Sequence, residues 1–218
     1  YNARLDSFSD RIIRGEILSS DRTVLAKTNV AEDGTEVREY PYGSLFAHVV
    51  GYSDQGKTGL ESLANFYLLS SHMNLVEQAV NELSDVKNLG DQVVTTLDVQ
   101  LQQAASDALG DRKGAVVVME PDTGKILAMV SKPGFDPNQL SSQWESLISG
   151  DNTEAQLLNR ASQGLYPPGS TFKIFTTLEY IHENADYADY HFDCSGEYTV
   201  GTKTIHCHNN KRHGSEDL

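Results

Sequence analysis

The chain has 218 residues, of which 39% are hydrophobic and 22% are charged, and this composition is typical of a globular protein of one or two domains. Its 17 Lys and Arg against 31 Asp and Glu give a formal net charge of −14. That charge, without any basic run, excludes nucleic acid as an expected partner. The longest apolar stretches fall far short of the roughly 18 to 20 residues that span a bilayer. Because the sequence begins at Tyr1, we expect any targeting segment to precede it.

The first 90 residues have the pattern of a β-rich module. Three strand-like runs are present: Ile12 to Leu18, Val24 to Lys27 and Glu36 to Tyr40. The turn sequence Glu32-Asp33-Gly34 separates the last two. Helical patterns follow at Gly59 to Ser70 and Met73 to Leu83. The second has one apolar face, which we interpret as core packing, formed by Leu75, Val76, Ala79, Val80 and Leu83.

A second block of secondary structure begins at Asp91. The strand-like run Gln92 to Leu97 is followed by Asp98, which is a good N-cap for a helix. Gly110 is suited to ending that helix. The residues on its apolar face would be Leu101, Ala104, Ala105 and Ala108.

A β-hairpin is predicted next along the chain. Two apolar runs, Ala115 to Glu120 and Lys125 to Ser131, are joined by Pro121-Asp122-Thr123-Gly124. Proline, aspartate and glycine stand at the turn positions that each of them favours. We therefore expect two adjacent antiparallel strands.

The cysteines, Cys194 and Cys207, flank a strand-like run with a turn at Gly201. If they were oxidised, the disulfide would close a hairpin and add about 3 kcal/mol by the loop-entropy argument. Zinc is an alternative, because three histidines stand near Cys207: His206, His208 and His213. We favour a disulfide or a thiol pair, since Cys207 is bracketed by two histidines rather than set in a regular ligand frame.

Chemistry is indicated by the segment Tyr166-Pro167-Pro168-Gly169-Ser170-Thr171-Phe172-Lys173. The two prolines readily precede a helix, so the helix should start at or just before Ser170 and place Lys173 one turn further on. A lysine of lowered pKa can accept the proton of a serine nucleophile. A helix N-terminus supplies positive potential and free N–H groups for an oxyanion. The alternative is an N-cap serine followed by a surface lysine.

This octet, with Asn159-Arg160-Ala161 upstream, closely resembles the active-site serine region of penicillin-binding proteins, the D,D-transpeptidases that cross-link peptidoglycan. Several segments resemble the N-terminal pedestal, or dimerisation module, of monofunctional (class B) members: Arg14 to Ile17, Leu25-Ala26, Tyr40-Pro41, Ala47 to Tyr52 and Gly56 to Glu61. Others resemble the beginning of the transpeptidase domain: Gly90 to Asp98, Leu101-Gln102 and Gly114 to Pro137. Ser19 and Arg22 depart from the usual Asp and Gly, which we interpret as structural variation.

The resemblance implies an α+β fold with two domains. Residues 1–90 would form the β-rich pedestal. Residues 91–218 would form the N-terminal part of a transpeptidase domain of the penicillin-binding/serine β-lactamase-like type, with an antiparallel sheet and helices. The resemblance also implies Ser170 as nucleophile and Lys173 as general base, with no cofactor and no metal.

The partners that the resemblance implies belong to the bacterial cell wall. They are peptidoglycan stem peptides, β-lactam antibiotics, a membrane-embedded glycan polymerase and other wall-synthesis proteins. Class B members normally hang from one N-terminal helix on the outer face of the cytoplasmic membrane. The resemblance therefore implies that location, through an anchor that this sequence does not contain.

Two other motifs overlap near residue 56. Gly51-Tyr52-Ser53-Asp54-Gln55-Gly56-Lys57-Thr58 matches the phosphate-binding pattern G-x4-G-K-[ST], after a strand-like Ala47 to Val50. We reject nucleotide binding, because the surrounding short strands indicate an antiparallel arrangement rather than a parallel βαβ core. Lys57-Thr58-Gly59 spells the third catalytic triplet of the family, but in the family that triplet follows the serine, so we assign it no catalysis.

The family's Ser-x-Asn triplet and its later Lys-Thr-Gly do not occur between Thr171 and Leu218. We therefore expect the chain to stop within the transpeptidase domain, to leave the hairpin at Ala115 to Ser131 without its later strands, and to be weakly active or inactive. Two alternatives remain open. One is a β-lactam sensor or a β-lactamase-like serine hydrolase, and the other is a non-catalytic interaction module of the wall-synthesis machinery.

Overall fold

The computed structural model describes residues 11–72, 80–81, 83–84 and 86–218. The chain divides between Leu165 and Tyr166 into two compact units. Both units mix helices with strands, which confirms the predicted α+β class. Within the described ranges, no helix has both the length and the apolar content that crossing a bilayer requires.

The first unit begins with six strands in two small sheets. The strands are β1 (Ile12–Ile13), β2 (Ile17–Leu18), β3 (Val24–Val30), β4 (Glu36–Glu39), β5 (Asn88–Leu89) and β6 (Val93–Val94). The order β4-β3-β2-β6 forms a four-stranded sheet, in which only the β2–β6 pair is parallel, and β1 pairs separately with β5. The three predicted strand-like runs of this region are thereby confirmed.

The first predicted run is interrupted between β1 and β2. There Gly15 lies against the backbone, and a Cβ at this position would stand 2.0 Å from the carbonyl oxygen of Asp91. No side chain can be accommodated at that distance, so this close approach of two backbone segments requires glycine at position 15.

Three short helices follow the sheet: α1 (Ala47–Val50), α2 (Gly59–Leu63) and α3 (Asn65–Leu68). The helix predicted over Gly59 to Ser70 is therefore two helices that meet at Ala64. The strand-like interpretation of Ala47 to Val50 was wrong, because the N–H of Val50 donates to the carbonyl of Phe46 in a helical turn. The apolar face predicted over Met73 to Leu83 falls largely outside the described residues.

Helix α4 (Val99–Leu109) begins and ends as predicted. The Asp98 carboxylate accepts the N–H of Leu101 at 2.8 Å, and Gly110 ends the helix with a φ of 58°. The predicted apolar face was wrong, however, because Leu101 is exposed, as are Ala104 and Ala108. The residues that are buried are Gln102, Ala105 and Ser106.

The hydrogen bonds of Gln102 explain why the buried face of α4 differs from the predicted one. The Nε2 of Gln102 donates to the carbonyls of Leu45 and Met129 at 2.8 and 2.9 Å, and its Oε1 accepts the N–H of Met129 at 2.8 Å. A buried amide whose hydrogen bonds are made carries little desolvation cost. Gln102 can therefore occupy the centre of the packed face.

Removing the N-cap is expected to weaken this unit. We expect Asp98→Ala to lower the free energy of unfolding by about 1 kcal/mol, since the N–H of Leu101 loses its acceptor. Urea unfolding followed by the fluorescence of Trp144, the single tryptophan, measures this. Asp107→Ala in the last turn of the same helix is the control, because the Asp107 carboxylate accepts from the exposed Gln103 side chain rather than from an N–H at the helix end, and an acid there opposes the helix dipole. An equal loss in both variants would contradict the capping role.

The predicted hairpin is confirmed. Strands β7 (Gly114–Met119) and β8 (Ile126–Lys132) pair antiparallel, with Val116 opposite Val130. In the turn, the N–H of Gly124 donates to the carbonyl of Glu120 at 2.8 Å. Helix α4 packs on this hairpin through a small cluster of buried side chains, Ala105, Ala128 and Val130.

The main core of the first unit joins residues from both sides of position 91. It includes Ile17, Leu25, Phe46 and Val50 from the N-terminal part, and Phe135, Leu140 and Leu147 from the later part. The last two belong to helix α5 (Leu140–Ile148). Trp144 of this helix packs edge-to-face on Tyr52, with ring centroids 6.2 Å apart.

The second unit consists of one α-helix, three short 3₁₀ turns and two strand pairs. Its elements are α6 (Phe172–Glu183), β9 (His191–Cys194), β10 (Glu197–Val200), β11 (Lys203–His206) and β12 (Gly214–Asp217). Strands β10 and β11 form a hairpin, and β12 returns to pair antiparallel with β9. These pairings place Cys194, Cys207 and His213 at the base of the hairpin.

Candidate active site

Ser170 and Lys173 lie where the sequence places them, at the start of a helix. A 3₁₀ turn over Gly169–Thr171 leads directly into α6, so Ser170 is in the turn and Lys173 is in the first turn of the α-helix. The carbonyl of Pro168 accepts hydrogen bonds from the N–H of Thr171 at 3.3 Å and from its Oγ1 at 2.5 Å. The predicted helix start is confirmed to within one residue.

Both side chains are exposed to solvent in this chain. Within the second unit as described, no residue of α6 is buried, and its large apolar side chains also face solvent, with Phe172 and Phe175 54% and 66% exposed. Neither Ser170 nor Lys173 makes a side-chain hydrogen bond to another described residue. The pair has the spacing of a nucleophile and a base, but not the dry surroundings that strengthen such a pair.

The segment Asn159-Arg160-Ala161, which the resemblance includes upstream of the serine, belongs to the first unit and is held there by hydrogen bonds. The Arg160 N–H donates to Ser131 Oγ of strand β8 at 2.9 Å, and Asn159 Nδ2 donates to the carbonyl of His48 at 3.2 Å. Arg160 is buried, and its guanidinium donates to the carbonyl of Glu154 at 2.6 Å. The sequence does not identify Ser131 and His48 as partners of this segment, because Ser131 accepts through its hydroxyl and His48 through its backbone carbonyl.

His48 is itself held in place rather than free to react. Its Nε2 lies 2.7 Å from the carbonyl oxygen of Gln156, and its ring meets Phe135 edge-on at 5.3 Å. Burial lowers the pKa of His48 below its usual value, which favours the neutral ring. His48 therefore acts as a neutral structural residue.

A buried charge cluster explains two of the N-terminal motifs. The Glu61 carboxylate is fully buried between Arg14 Nε at 2.6 Å and Arg38 Nε at 2.8 Å. Arg14 also donates to Asn65 Oδ1, and Arg38 donates to the carbonyl of Gly15, at 2.6 and 2.7 Å. Burial lowers the pKa of Arg14, and Glu61 opposes that effect. The Arg-Gly and Gly-Leu-Glu motifs thus meet in one ion network of the sheet module.

The phosphate-loop match has the wrong surroundings. A phosphate-binding loop follows a strand, whereas this segment follows the short helix α1. Gly51 has a φ of +84°, and a Cβ there would lie 2.0 Å from the Thr58 carbonyl oxygen, so this glycine closes a tight loop onto α2. These findings support our rejection of nucleotide binding.

The thiols of Cys194 and Cys207 form a cluster with His213. Their Sγ atoms are 3.5 Å apart, and Cys194 Sγ is 3.5 Å from His213 Nδ1. Hydrogen bonds from the backbone and the side chain of His213 lower the pKa of the Cys194 thiol to about 6, with smaller effects of Gly196 and Cys207. The pKa of Cys207 is raised, chiefly by its contact with Cys194.

A Ser-x-x-Lys pair at the start of a helix defines a candidate serine acyl-transfer site. Two family models match the chain around it: the penicillin binding protein transpeptidase domain over residues 114–218, and the penicillin binding protein A dimerisation domain over residues 14–93. The chain belongs to the class B penicillin-binding proteins. Our domain boundary at residues 90 and 91 stays a prediction.

Individual relatives agree with this assignment. The peptidoglycan D,D-transpeptidase PbpA of Mycolicibacterium smegmatis is 38% identical over 199 residues, which cover 83% of this chain and 39% of that protein. The peptidoglycan D,D-transpeptidase MrdA of Escherichia coli is 33% identical over 181 residues, which cover 66% of this chain and 28% of that protein. The chain thus spans well under half the length of these curated relatives.

A solved structure extends the comparison to the fold. Penicillin-binding protein A of M. tuberculosis, as an imipenem acyl-enzyme complex, superposes with a TM-score of 0.82 at 30% identity. The match covers 98% of this chain and 52% of that chain. The D,D-transpeptidase domain of a peptidoglycan glycosyltransferase from Eggerthella lenta gives a TM-score of 0.79 at 38% identity, covering 95% of this chain and 46% of that one.

Proposed function

We propose that the protein containing this sequence is a peptidoglycan D,D-transpeptidase that forms an acyl-enzyme at Ser170. The observation that carries the proposal is the position of Ser170 and Lys173 at the start of α6, in a chain that matches both the transpeptidase and the dimerisation families. The relatives that carry the name D,D-transpeptidase, and the acyl-enzyme complexes of penicillin-binding protein A, support it.

The chemistry follows from the two side chains. Lys173 Nζ accepts the proton of Ser170 while Oγ attacks the penultimate D-Ala carbonyl of a stem peptide. The terminal D-Ala leaves as the amine and carries that proton away. An amine from a second stem peptide then attacks the ester, which restores the serine hydroxyl and completes the cross-link.

A β-lactam undergoes the first of these two reactions, the acylation of Ser170. Ser170 opens the strained ring, and the amine that would depart remains tethered to the acyl group. It therefore blocks the approach of the second amine, so the acyl-enzyme persists. This behaviour makes β-lactams covalent inhibitors of the proposed enzyme.

We place the activity in the longer protein rather than in residues 1–218 alone. Here Ser170 and Lys173 are exposed, and no Ser-x-Asn or Lys-Thr-Gly triplet follows them in the sequence. Oxyanion stabilisation of the kind worth about 10² to 10³ in rate needs donors held in a site that excludes water. We therefore expect residues 1–218 to react slowly or not at all with a fluorescent penicillin.

The proposed substrate also sets the location and the partners. Stem peptides are cross-linked outside the cytoplasmic membrane, so the proposed site faces that side. Its partners would be a membrane-embedded glycan polymerase and the other proteins of wall synthesis. The net charge of −14 is compatible with these partners but does not identify them.

Replacing the proposed base is expected to slow acylation. In the longer protein, Lys173→Met should lower the second-order rate constant for penicillin acylation by about 10² to 10⁴, since a positioned general base contributes that factor. Stopped-flow or gel-based labelling measures this. Lys203→Met is the matched control, because Lys203 is an exposed lysine of β11 in the same unit. A Lys173→Met rate within tenfold of the Lys203→Met rate would exclude Lys173 as the base.

The longer protein also allows a test that distinguishes a transpeptidase from a β-lactamase. A transpeptidase or a sensor keeps its penicilloyl group, whereas a β-lactamase releases it quickly and turns over. We expect an acyl-enzyme that outlasts a gel run, without sustained hydrolysis of the drug. Rapid turnover of penicillin would favour the hydrolase instead.

A further inference from the structure

We propose that His48 is a pH-sensitive latch for the loop of residues 154–163, which it holds while its ring is neutral and releases when its ring is protonated. The ring is buried, and its Nε2 lies 2.7 Å from the carbonyl oxygen of Gln156 in that loop. The inference concerns the first unit alone and does not rest on the proposed function.

Three hydrogen bonds attach the loop to the rest of the first unit, and two of them involve His48. Its ring bonds the carbonyl of Gln156, and its backbone carbonyl accepts Asn159 Nδ2 at 3.2 Å. The third joins the Arg160 N–H to Ser131 Oγ at 2.9 Å. Of these groups, only the imidazole ring changes its charge near neutral pH. The attachment made by this ring can therefore respond to acid, whereas the other two cannot.

The neutral ring has a defined proton position. A carbonyl oxygen only accepts hydrogen bonds, so Nε2 carries the proton that bonds Gln156. A second proton would lie on Nδ1, which makes no hydrogen bond to any residue in the described part of the chain. A buried donor without an acceptor destabilises the state that contains it. Protonation of His48 is therefore unfavourable while the loop is closed.

The surroundings of the ring oppose a positive charge. Burial is the main cause that lowers the pKa of His48; the hydrogen bond with Gln156 opposes it, and the charge of Arg160 lowers the pKa further. Phe135 covers the ring edge-on at 5.3 Å and supplies no counter-charge. No carboxylate of the described residues contributes to the pKa of His48. A protonated ring would thus lie beside a second cation.

The nearest other charged side chains have partners elsewhere. Lys132, which follows the strand that carries Ser131, donates from Nζ to the carbonyl of Gly110 at 2.8 Å. Glu154, at the start of the loop, pairs with Lys113 at 3.2 Å on the surface. Neither side chain is placed to compensate a charge on His48.

The direction of the pH effect follows from this difference. The pKa of His48 in the closed loop lies below its ordinary value of 6.5, which the ring recovers when the loop opens. The open loop therefore binds more protons than the closed one as the pH falls below about 6.5. The closed loop keeps its full stability above that pH and loses stability below it.

The test is hydrogen exchange of the 218-residue chain, measured by mass spectrometry and expressed as protection relative to the intrinsic exchange rate. Between about pH 7.5 and about pH 5.5, we expect the protection of residues 154–163 to fall about three- to tenfold, because opening takes up one proton. The amides of the β7–β8 hairpin should keep their protection over the same range, since no titrating ring holds them.

Two variants assign the effect to His48. His48→Gln keeps an amide that can donate to the Gln156 carbonyl but does not titrate, so the loop should show the same protection at both pH values. His72→Gln is the matched control, because His72 is the other histidine of the first unit and its side chain is 79% exposed. This variant should retain the full pH dependence of the loop.

A constant protection of residues 154–163 in the unsubstituted chain would overturn the latch, and this result does not depend on the folding of any variant. An equal loss in the β7–β8 hairpin would also overturn it, since the effect would then be a general loss of stability. So would a pH dependence that persists in His48→Gln or disappears in His72→Gln. A failure of penicillin labelling would leave these measurements unchanged, so the latch and the proposed transpeptidase function fail separately.

Discussion

Ser170→Ala is expected to abolish covalent labelling of the longer protein by a fluorescent penicillin. In the proposed mechanism Ser170 Oγ is the atom that becomes acylated, and the other hydroxyl of the turn, Thr171 Oγ1, donates to the carbonyl of Pro168. Removing a catalytic nucleophile from an enzyme of this kind costs more than about 10³ in rate, because the members of such a unit do not act alone. The signal should therefore fall to the background of heat-denatured protein.

A matched serine distinguishes this effect from general damage. Ser195 lies in the same unit, in the turn between β9 and β10, where its hydroxyl donates to the carbonyl of Glu197 at 3.1 Å. Ser195→Ala should label at the rate of the unsubstituted protein. If Ser170→Ala labelled as fast as Ser195→Ala, the assignment of Ser170 as nucleophile would be wrong.

Glu61→Gln is expected to cause the largest loss of stability in the first unit. The substitution keeps the shape of the side chain but leaves the buried guanidinium groups of Arg14 and Arg38 without their counter-charge. Breaking a buried pair by removing one partner costs about 3 to 5 kcal/mol. The free energy of unfolding in urea, followed by Trp144 fluorescence, should fall by that amount.

An exposed ion pair in the same unit is the control. Lys113 Nζ and Glu154 Oε2 are 3.2 Å apart, but their side chains are 48% and 56% exposed. Glu154→Gln should therefore cost less than about 1 kcal/mol. Equal losses in Glu61→Gln and Glu154→Gln would show that the buried cluster contributes no more than a surface pair.

Local sequence signals predicted the parts of the fold that depend on local chemistry. The Asp98 cap, the turn at Pro121-Asp122-Thr123-Gly124 and the helix start after Pro168 each depend on neighbouring residues alone. The resemblance to the family motif identified Ser170 and Lys173 as candidate site residues. The structure shows that both lie at the start of α6. These features need no long-range contact to be specified.

Long-range contacts explain what the sequence did not predict. Gln102 is polar and was left off the buried face, because its partners are carbonyls and an N–H that only the folded chain presents. The helical turn at Ala47 to Val50 is likewise a matter of packing, since Ala47 and Val50 are buried in the core. A short, mostly apolar segment such as Ala47 to Val50 cannot be assigned to a strand or a buried helix by its periodicity alone.

The side-chain clusters depend on contacts of the same long-range kind. Arg14, Arg38 and Glu61 stand far apart in sequence, and only the sheet module brings their charges together. The pairing of β12 with β9 likewise brings His213, which directly precedes β12, next to Cys194, a contact that the spacing of these residues in the sequence does not predict.

Mass spectrometry of the penicillin adduct tests the central claim most directly. The longer protein is incubated with penicillin, and both the intact protein and its tryptic peptides are weighed. We predict one penicilloyl group for each protein molecule, carried by Ser170 in the peptide that ends at Lys173. An adduct on any other residue, or no adduct on a folded protein, would contradict the proposed acyl-enzyme.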